Sequence, residues 1–167
     1  MDNQQLLNAI EAVVKQAKLS LNTQSTLGTL DGTTAIDMEI LVSPWTVPDP
    51  KNPINFVVGD MRSKDNQVWK CIQPYKDVDH PNVIPGETPS MWVPYHTKDP
   101  RKAKPFIQPT FNEDSYFKDE CCILNGVIYR SIMDTANPYS PEAYSTGWEI
   151  VLSLIHISEP TRLDVIS

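Results

Sequence analysis

No run of residues approaches the ~20 consecutive apolar positions that a membrane span needs. The Met1-Asp2-Asn3-Gln4-Gln5 start has neither the basic nor the apolar part of a secretory signal. The expectation is a chain made in a cytoplasm without signal peptide, with no membrane partner. Positive charge is short as well, since 14 Lys and Arg stand against 21 Asp and Glu for a formal net charge of −7. The one dense basic run, Lys98 to Lys104, is broken by Asp99 and Pro100. Phosphate binding lacks its clustered cations, and no nucleic acid is expected as a partner. Cysteine is scarce and odd in number: Cys71, Cys121 and Cys122 do not make a disulfide framework. With no Cys-x-x-Cys pair, and with His80 and His96 standing alone, neither a metal nor a cofactor is expected.

The last stretch, residues 152–167, reads as an artefact. Leu152 to Arg162 is what the fixed part of a transposase-type sequencing adapter encodes. After a gap of index length, Ile166-Ser167 continue the same frame. The expectation is that this segment carries no selected function and that His156 has no claim to chemistry.

What the chain does have is a repeat. Phe56 to Ile72 aligns without a gap on Tyr116 to Ile132, aromatic on aromatic at Phe56/Tyr116 and Trp69/Tyr129. Each copy then runs through a Pro-bearing loop to a tryptophan, Trp92 in the first and Trp148 in the second, the second loop being four residues shorter. One small supersecondary unit used twice favours a binding or spacing protein over an enzyme with a single cleft. Asn125-Gly126 signals a two-residue hairpin turn, and Asp65-Asn66 occupies the same place in the first copy. Each copy holds only ~40 residues, the size at which an aliphatic core stops being sufficient. Phe56, Trp69, Trp92, Tyr116, Tyr129 and Trp148 are therefore expected as module core, at ~150 to 250 Å² buried per aromatic side chain.

Upstream, Leu6, Leu7, Ile10, Val13, Val14, Ala17 and Leu21 recur at threes and fours, which predicts an amphipathic helix over residues 4–21 capped by Asp2 or Asn3. Its stripe needs a partner, either the chain itself or a second copy in a short coiled coil, and the few apolar residues downstream favour a homo-oligomer. Residues 23–34 read as a loop. Ile36, Met38, Ile40 and Val42 alternate with Asp37, Glu39 and Leu41, which predicts a strand with the two carboxylates on its wet side. The fold class expected is mainly β with an N-terminal α-helix, two small three-stranded β-modules being joined by Pro-rich linkers. The divisions are 1–43 for attachment or oligomerisation, 44–53 as linker, 54–97 as first module, 98–112 as linker and 113–151 as second module.

The module pattern resembles the small chitin- and cellulose-binding modules of carbohydrate-binding families 5 and 12. Phe56-x-x-Gly59, Val68-Trp69-Lys70-Cys71 and Trp92 carry the resemblance in the first copy. Tyr116, Asn125-Gly126, Tyr129-Arg130-Ser131 and Trp148-Glu149 carry it in the second, with Asp119 in place of the early glycine. Such modules also occur in accessory virion proteins of bacterial viruses, and the layout here is similar to theirs. The family's exposed aromatic pair would fall at Gln73-Pro74 and Met133-Asp134, so the usual sugar platform is missing from both copies. Tyr75 and Tyr139 in the loops are the candidate carbohydrate-binding residues instead.

The resemblance implies a non-catalytic carbohydrate-binding protein, a phage virion accessory protein contacting a polysaccharide or cell-wall glycan of the host surface. A second reading makes it a structural or assembly protein whose modules are spacers that touch other virion proteins and no sugar. A third, an accessory fragment of a glycoside hydrolase, is disfavoured by the lack of a catalytic-size domain.

Overall fold

The computed structural model describes residues 1–153. They form two compact units, Met1–Tyr95 and the chain from His96 onward. Their elements are an N-terminal helix and several small, mostly antiparallel sheets. Among the described residues helical residues outnumber strand residues once the short 3₁₀ turns are counted with the two α-helices, so the expectation of a mainly β chain holds only in part.

In the first unit, α1 spans Asn3–Thr26. Asp2 accepts the Gln5 N–H at 2.7 Å while Gln5 Oε1 accepts the Asp2 N–H at 3.0 Å, a reciprocal cap that fixes the start of the helix. The chain turns at Gly28, with φ at +73°, and re-enters a short helix α2, Gly32–Asp37. Here the strand expected over Ile36 to Val42 is corrected. Asp31 caps α2 by accepting the Thr34 N–H at 2.7 Å, and Glu39–Leu41 continue as a 3₁₀ turn. A helical path sends Ile36 and Val42 into the core and leaves Ile40 88% exposed. A strand would have buried all three on one face. The loop expected from residue 23 begins only after Thr26.

Four strands then build the module: β1 Asn55–Phe56, β2 Met61–Lys64, β3 Gln67–Cys71 and β4 Tyr75–Lys76. A fifth, β5 Trp92–Pro94, pairs with β3, giving a sheet of order β2-β3-β5 beside a two-stranded β1-β4 ribbon. Residues alternate across β3. Val68 joins Met61 and Tyr95 on one face, where Leu21, Leu30, Ala35, Ile36 and Val42 from the helical segment cover them. Trp69 and Cys71 lie on the other face with the aromatic residues. The N-terminal segment is thus part of the first unit rather than a separate region.

The second unit repeats this plan. Its strands are β6 Lys104–Pro105, β7 Cys121–Leu124, β8 Val127–Ser131 and β9 Trp148–Ser153. They form a four-stranded sheet of order β6-β7-β8-β9. The hairpin registers match at an offset of sixty: Met61 faces Lys70 as Cys121 faces Arg130, and Lys64 faces Gln67 as Leu124 faces Val127. Cys71 faces Trp92 as Ser131 faces Trp148. The turns also agree, with positive φ at Asp65 and Asn66 in one and at Asn125 and Gly126 in the other.

The proline-rich segments belong to the modules rather than linking them. Trp45 N–H donates to Ser63 O at 2.9 Å, and Pro44 bridges Ser63 in parallel. In the second unit Phe106 N–H donates to Ile123 O at 2.8 Å, next to the parallel β6-β7 pairing. A Pro-aromatic step, Pro44-Trp45 and Pro105-Phe106, therefore opens both copies. Residues 154–167 lie outside the described residues, and with them most of the adapter-like segment and His156. Leu152 and Ser153 continue β9, opposite Ile128 and Val127.

Candidate functional site

The two modules spend their aromatic residues differently. In the first, the Phe56 ring stacks on Tyr75 at 5.0 Å and meets Trp92 edge-on at 5.2 Å. Tyr75 OH accepts the Trp92 Nε1–H at 2.9 Å. Tyr75 is 8% exposed, and burial pushes its phenol up to about 12. The expectation that Tyr75 is an exposed loop tyrosine is corrected. It sits on β4 opposite Phe56, where the Trp92 indole needs an acceptor in a dry site.

In the second module, Tyr116, Trp148 and Cys122 form the buried cluster, with Phe106 and Tyr129 packed against it. Tyr116 and Trp148 meet edge-on at 5.3 Å. The partner of Tyr116 across the sheet is Asn137, in the place that Tyr75 holds opposite Phe56. Asn137 is fully buried and donates through Nδ2 to Ser131 Oγ and Gly147 O, each at 3.2 Å. Tyr75 and Tyr139 are therefore not equivalent. Tyr139 lies two residues beyond Asn137, and its carbonyl, not its ring, accepts the Trp148 Nε1–H at 3.0 Å.

With its backbone tied inward, the Tyr139 side chain is left 50% exposed, and Tyr144 beside it is 43% exposed. Their ring centroids are 5.5 Å apart with planes inclined at 57°. The loop beneath them is braced at several points. Tyr144 N–H donates to Ser140 O at 3.0 Å, Asn125 Nδ2 donates to Glu142 Oε1 at 2.9 Å, and Gln108 Nε2 donates to Pro138 O at 2.9 Å. The Tyr144 ring lies over Gly147 so closely that a Cβ there would stand 2.7 Å from it. Two exposed rings on a pinned loop form an apolar step with hydroxyls at its rim. Tyr144 is the residue that sequence reasoning passed over, and its only signal was a second aromatic five positions from Tyr139 in a loop already rich in proline.

The titratable groups have structural explanations. Glu120 Oε2 accepts the Phe117 N–H at 2.7 Å, as Asp60 Oδ2 accepts the Val57 N–H at 2.9 Å, so both carboxylates close the same tight turn. Burial raises Glu120 to about 7, partly offset by that hydrogen bond and by the Lys98 charge. His96 is buried, its ring stacked on Tyr116 at 3.7 Å and its Nε2 within 3.0 Å of Asp114 O, and burial lowers it to about 4. Burial likewise pushes Cys71 up to about 11 and Cys122 to about 12, which holds both as thiols. Among the described residues no cluster of His, Cys, Asp and Glu is arranged to hold a metal ion, and no helix is long and apolar enough to cross a membrane.

Further exposed apolar residues line α1. Only Leu21 and Ser25 of this helix are buried, whereas Leu6, Leu7, Ile10, Val13 and Val14 are exposed. Ile10, Val14 and Leu21 form one wall of a groove of about 560 Å³ whose other wall is Leu41, Val42 and Met61. The helix is held at its far end by Ser25, whose Oγ donates to Gly59 O at 2.5 Å and lies 2.9 Å from Tyr95 OH. A Cβ on Gly59 would stand 2.4 Å from Thr26 Cα. That contact is why the first copy keeps a glycine where the second has Asp119, also at positive φ.

Compared with models of known protein families the chain matches none, and it matches no curated protein.

Proposed function

We propose that this chain is a non-catalytic carbohydrate-binding protein, an accessory protein of a phage virion, built from two small β-modules and touching a host-surface glycan. The observation that supports the sugar contact is the Tyr139 and Tyr144 pair. Seven aromatics (Phe56, Trp69, Tyr75, Trp92, Tyr95, Tyr116 and Trp148) are buried, whereas these two rings stay exposed, close together on a braced loop. Rings of this kind stack on the apolar face of a pyranose, and a rigid support lowers the entropy lost on binding. The contact is assigned to the second module, since Tyr75 is occupied by Trp92 in the first.

Pull-down of the full chain on insoluble chitin, cellulose and bacterial cell walls tests the reading. Retention on at least one, abolished by the Tyr139→Ala, Tyr144→Ala double variant, is the expected result. Absence of retention on all three refutes sugar binding. It favours the second reading, a structural or assembly protein of the virion whose modules are spacers, a reading that the burial of Tyr75 supports.

A further inference from the structure

The loops that close the two modules share a backbone and differ in one pair of side chains. Met91 N–H donates to Thr88 O at 3.0 Å, and Met91 O accepts the Ile72 N–H at 2.8 Å. Gly147 N–H donates to Tyr144 O at 3.1 Å, and Gly147 O accepts the Ile132 N–H at 3.0 Å. Just upstream, Thr88 N–H and Tyr144 N–H each donate at 3.0 Å, to Ile84 O and to Ser140 O. Thr88 therefore corresponds to Tyr144, and Met91 to Gly147, immediately before the tryptophan of each copy. This backbone position accepts a side chain, because Met91 carries one in the first copy. Nor is Gly147 at positive φ, so its conformation makes no demand for glycine. What demands it is space: a Cβ on Gly147 would stand 2.7 Å from Tyr144 Cδ1, 3.0 Å from Tyr144 Cε1 and 3.1 Å from Met133 Sδ. In the first copy Thr88 turns its hydroxyl into the loop instead, accepting the Ile84 N–H at 3.1 Å and donating to Asn82 O at 3.3 Å. Ring and glycine occur together in one copy and are absent together from the other.

We infer that Gly147 is a positioning residue of the glycan site, the seat that holds the Tyr144 ring, and that Tyr144 rather than Tyr139 is the ring that stacks on the sugar. This role rests on the glycan reading and adds to it the residue that sets the geometry. A flat sugar face can lie parallel to only one of two rings inclined at 57°. Tyr144 is the ring that rests against main chain, at Gly147. A ring backed by the backbone has less freedom left to lose when a ligand covers its open side. Tyr139 then flanks the sugar instead of lying under it. With Thr88 and Met91 in these places, the first copy has neither ring nor seat, which agrees with assigning the contact to the second module alone.

Depletion isotherms of the full chain on insoluble chitin, cellulose and bacterial cell walls test the inference on each matrix that retains it. Gly147→Ala is expected to weaken retention ~10-fold while the chain stays folded, since an exposed tyrosine can swing aside from the new methyl group. The Trp148 indole N–H resonance, whose acceptor is Tyr139 O, reports that the loop is intact. Met91→Ala, the matching position in the first copy, is expected to leave retention unchanged. Tyr144→Thr should weaken retention more than Tyr139→Thr. Adding Gly147→Ala to Tyr144→Thr should change nothing further, because the methyl group then meets no ring. Full retention by a folded Gly147→Ala chain overturns the inference, and so does a further loss in the double variant or a larger effect of Tyr139→Thr. The seat is also scored without sugar, by a ring-current shift of the Gly147 Hα resonances that Tyr144→Thr is expected to abolish. Absence of retention by the native chain on all three matrices overturns the glycan reading and the positioning role together, whereas a Gly147 shift that Tyr144→Thr leaves unchanged overturns the seat alone.

Discussion

Two buried or half-buried groups in the second unit are set to oppose each other as pH falls, and replacing Glu120 by Gln should expose the opposition. His96 titrates at about 4 when folded against 6.5 in the open chain, so between those values the unfolded state holds the extra proton and stability is lost as pH drops. Glu120 titrates at about 7 when folded against 4.5, so between those values the folded state holds the extra proton and stability is gained as pH drops. Each gap corresponds to about 3 kcal/mol at ~1.36 kcal/mol per pH unit. Over the shared window, about pH 6.5 to 4.5, the two nearly cancel.

The native chain should therefore gain stability from pH 8 to about 6.5 and then hold level. The Glu120→Gln chain keeps an acceptor for the Phe117 N–H and loses the titration, so it should be flat above pH 6.5 and weaken steadily below it. At pH 8 the variant should be the more stable by about 2–3 kcal/mol, the charged form no longer being desolvated. Urea titrations followed through the amide cross-peak of Ser131, which donates to Glu120 O at 2.9 Å, report on this unit alone. Parallel pH profiles for the two proteins, or equal stability at pH 8, would refute the reasoning, and a direct NMR titration of the His96 ring would show which half had failed.

Other outcomes follow from the packing. Trp148→Ala should cost about 3–5 kcal/mol by urea unfolding as a core tryptophan, and a loss well below one would mark it as a surface contact. Tyr75→Phe should cost about 1–3 kcal/mol because it strands the Trp92 indole N–H in a dry site, whereas an exposed loop tyrosine would give no change. Gly59→Ala should release the end of α1, read as loss of hydrogen-exchange protection across residues 17–26 with the β2-β3 hairpin retained. Truncation after Val151 removes the pairings of Leu152 and Ser153 and should cost no more than about 2 kcal/mol, leaving the second unit folded by circular dichroism.

The repeat was legible because its signals are local. A turn that demands positive φ at two adjacent residues, and aromatics at fixed distances from it, survive translation along the chain by sixty positions. Residues 36–42 were misleading for the same reason: their alternation fits a strand, and the competing signal, Asp31 three residues before Thr34, is a single hydrogen bond. The pairing of Lys104 and Pro105 with β7 was not legible, since parallel neighbours leave no turn between them. Tyr75 shows the limit of judging exposure from loop membership. Its burial is set by the Trp92 indole seventeen residues away, and in the other copy Asn137 fills that role with a different chemistry. Tyr144 was hidden because nothing in a short loop's composition says which aromatic its hydrogen bonds will turn outward.

The Pro-aromatic step that opens each copy has a consequence for assembly during folding. Two hairpins with the same register in one chain invite strands of one copy to pair with those of the other, or with a neighbouring molecule. In both units the aromatic residue turns its N–H inward to the hairpin, at Trp45 and at Phe106. The outward-facing backbone position just before it is a proline, which has no N–H to offer. The outer edge is a closed seam: a wandering strand that arrives there finds no donor at the centre of the segment, and each hairpin is steered toward the partner its own sequence supplies.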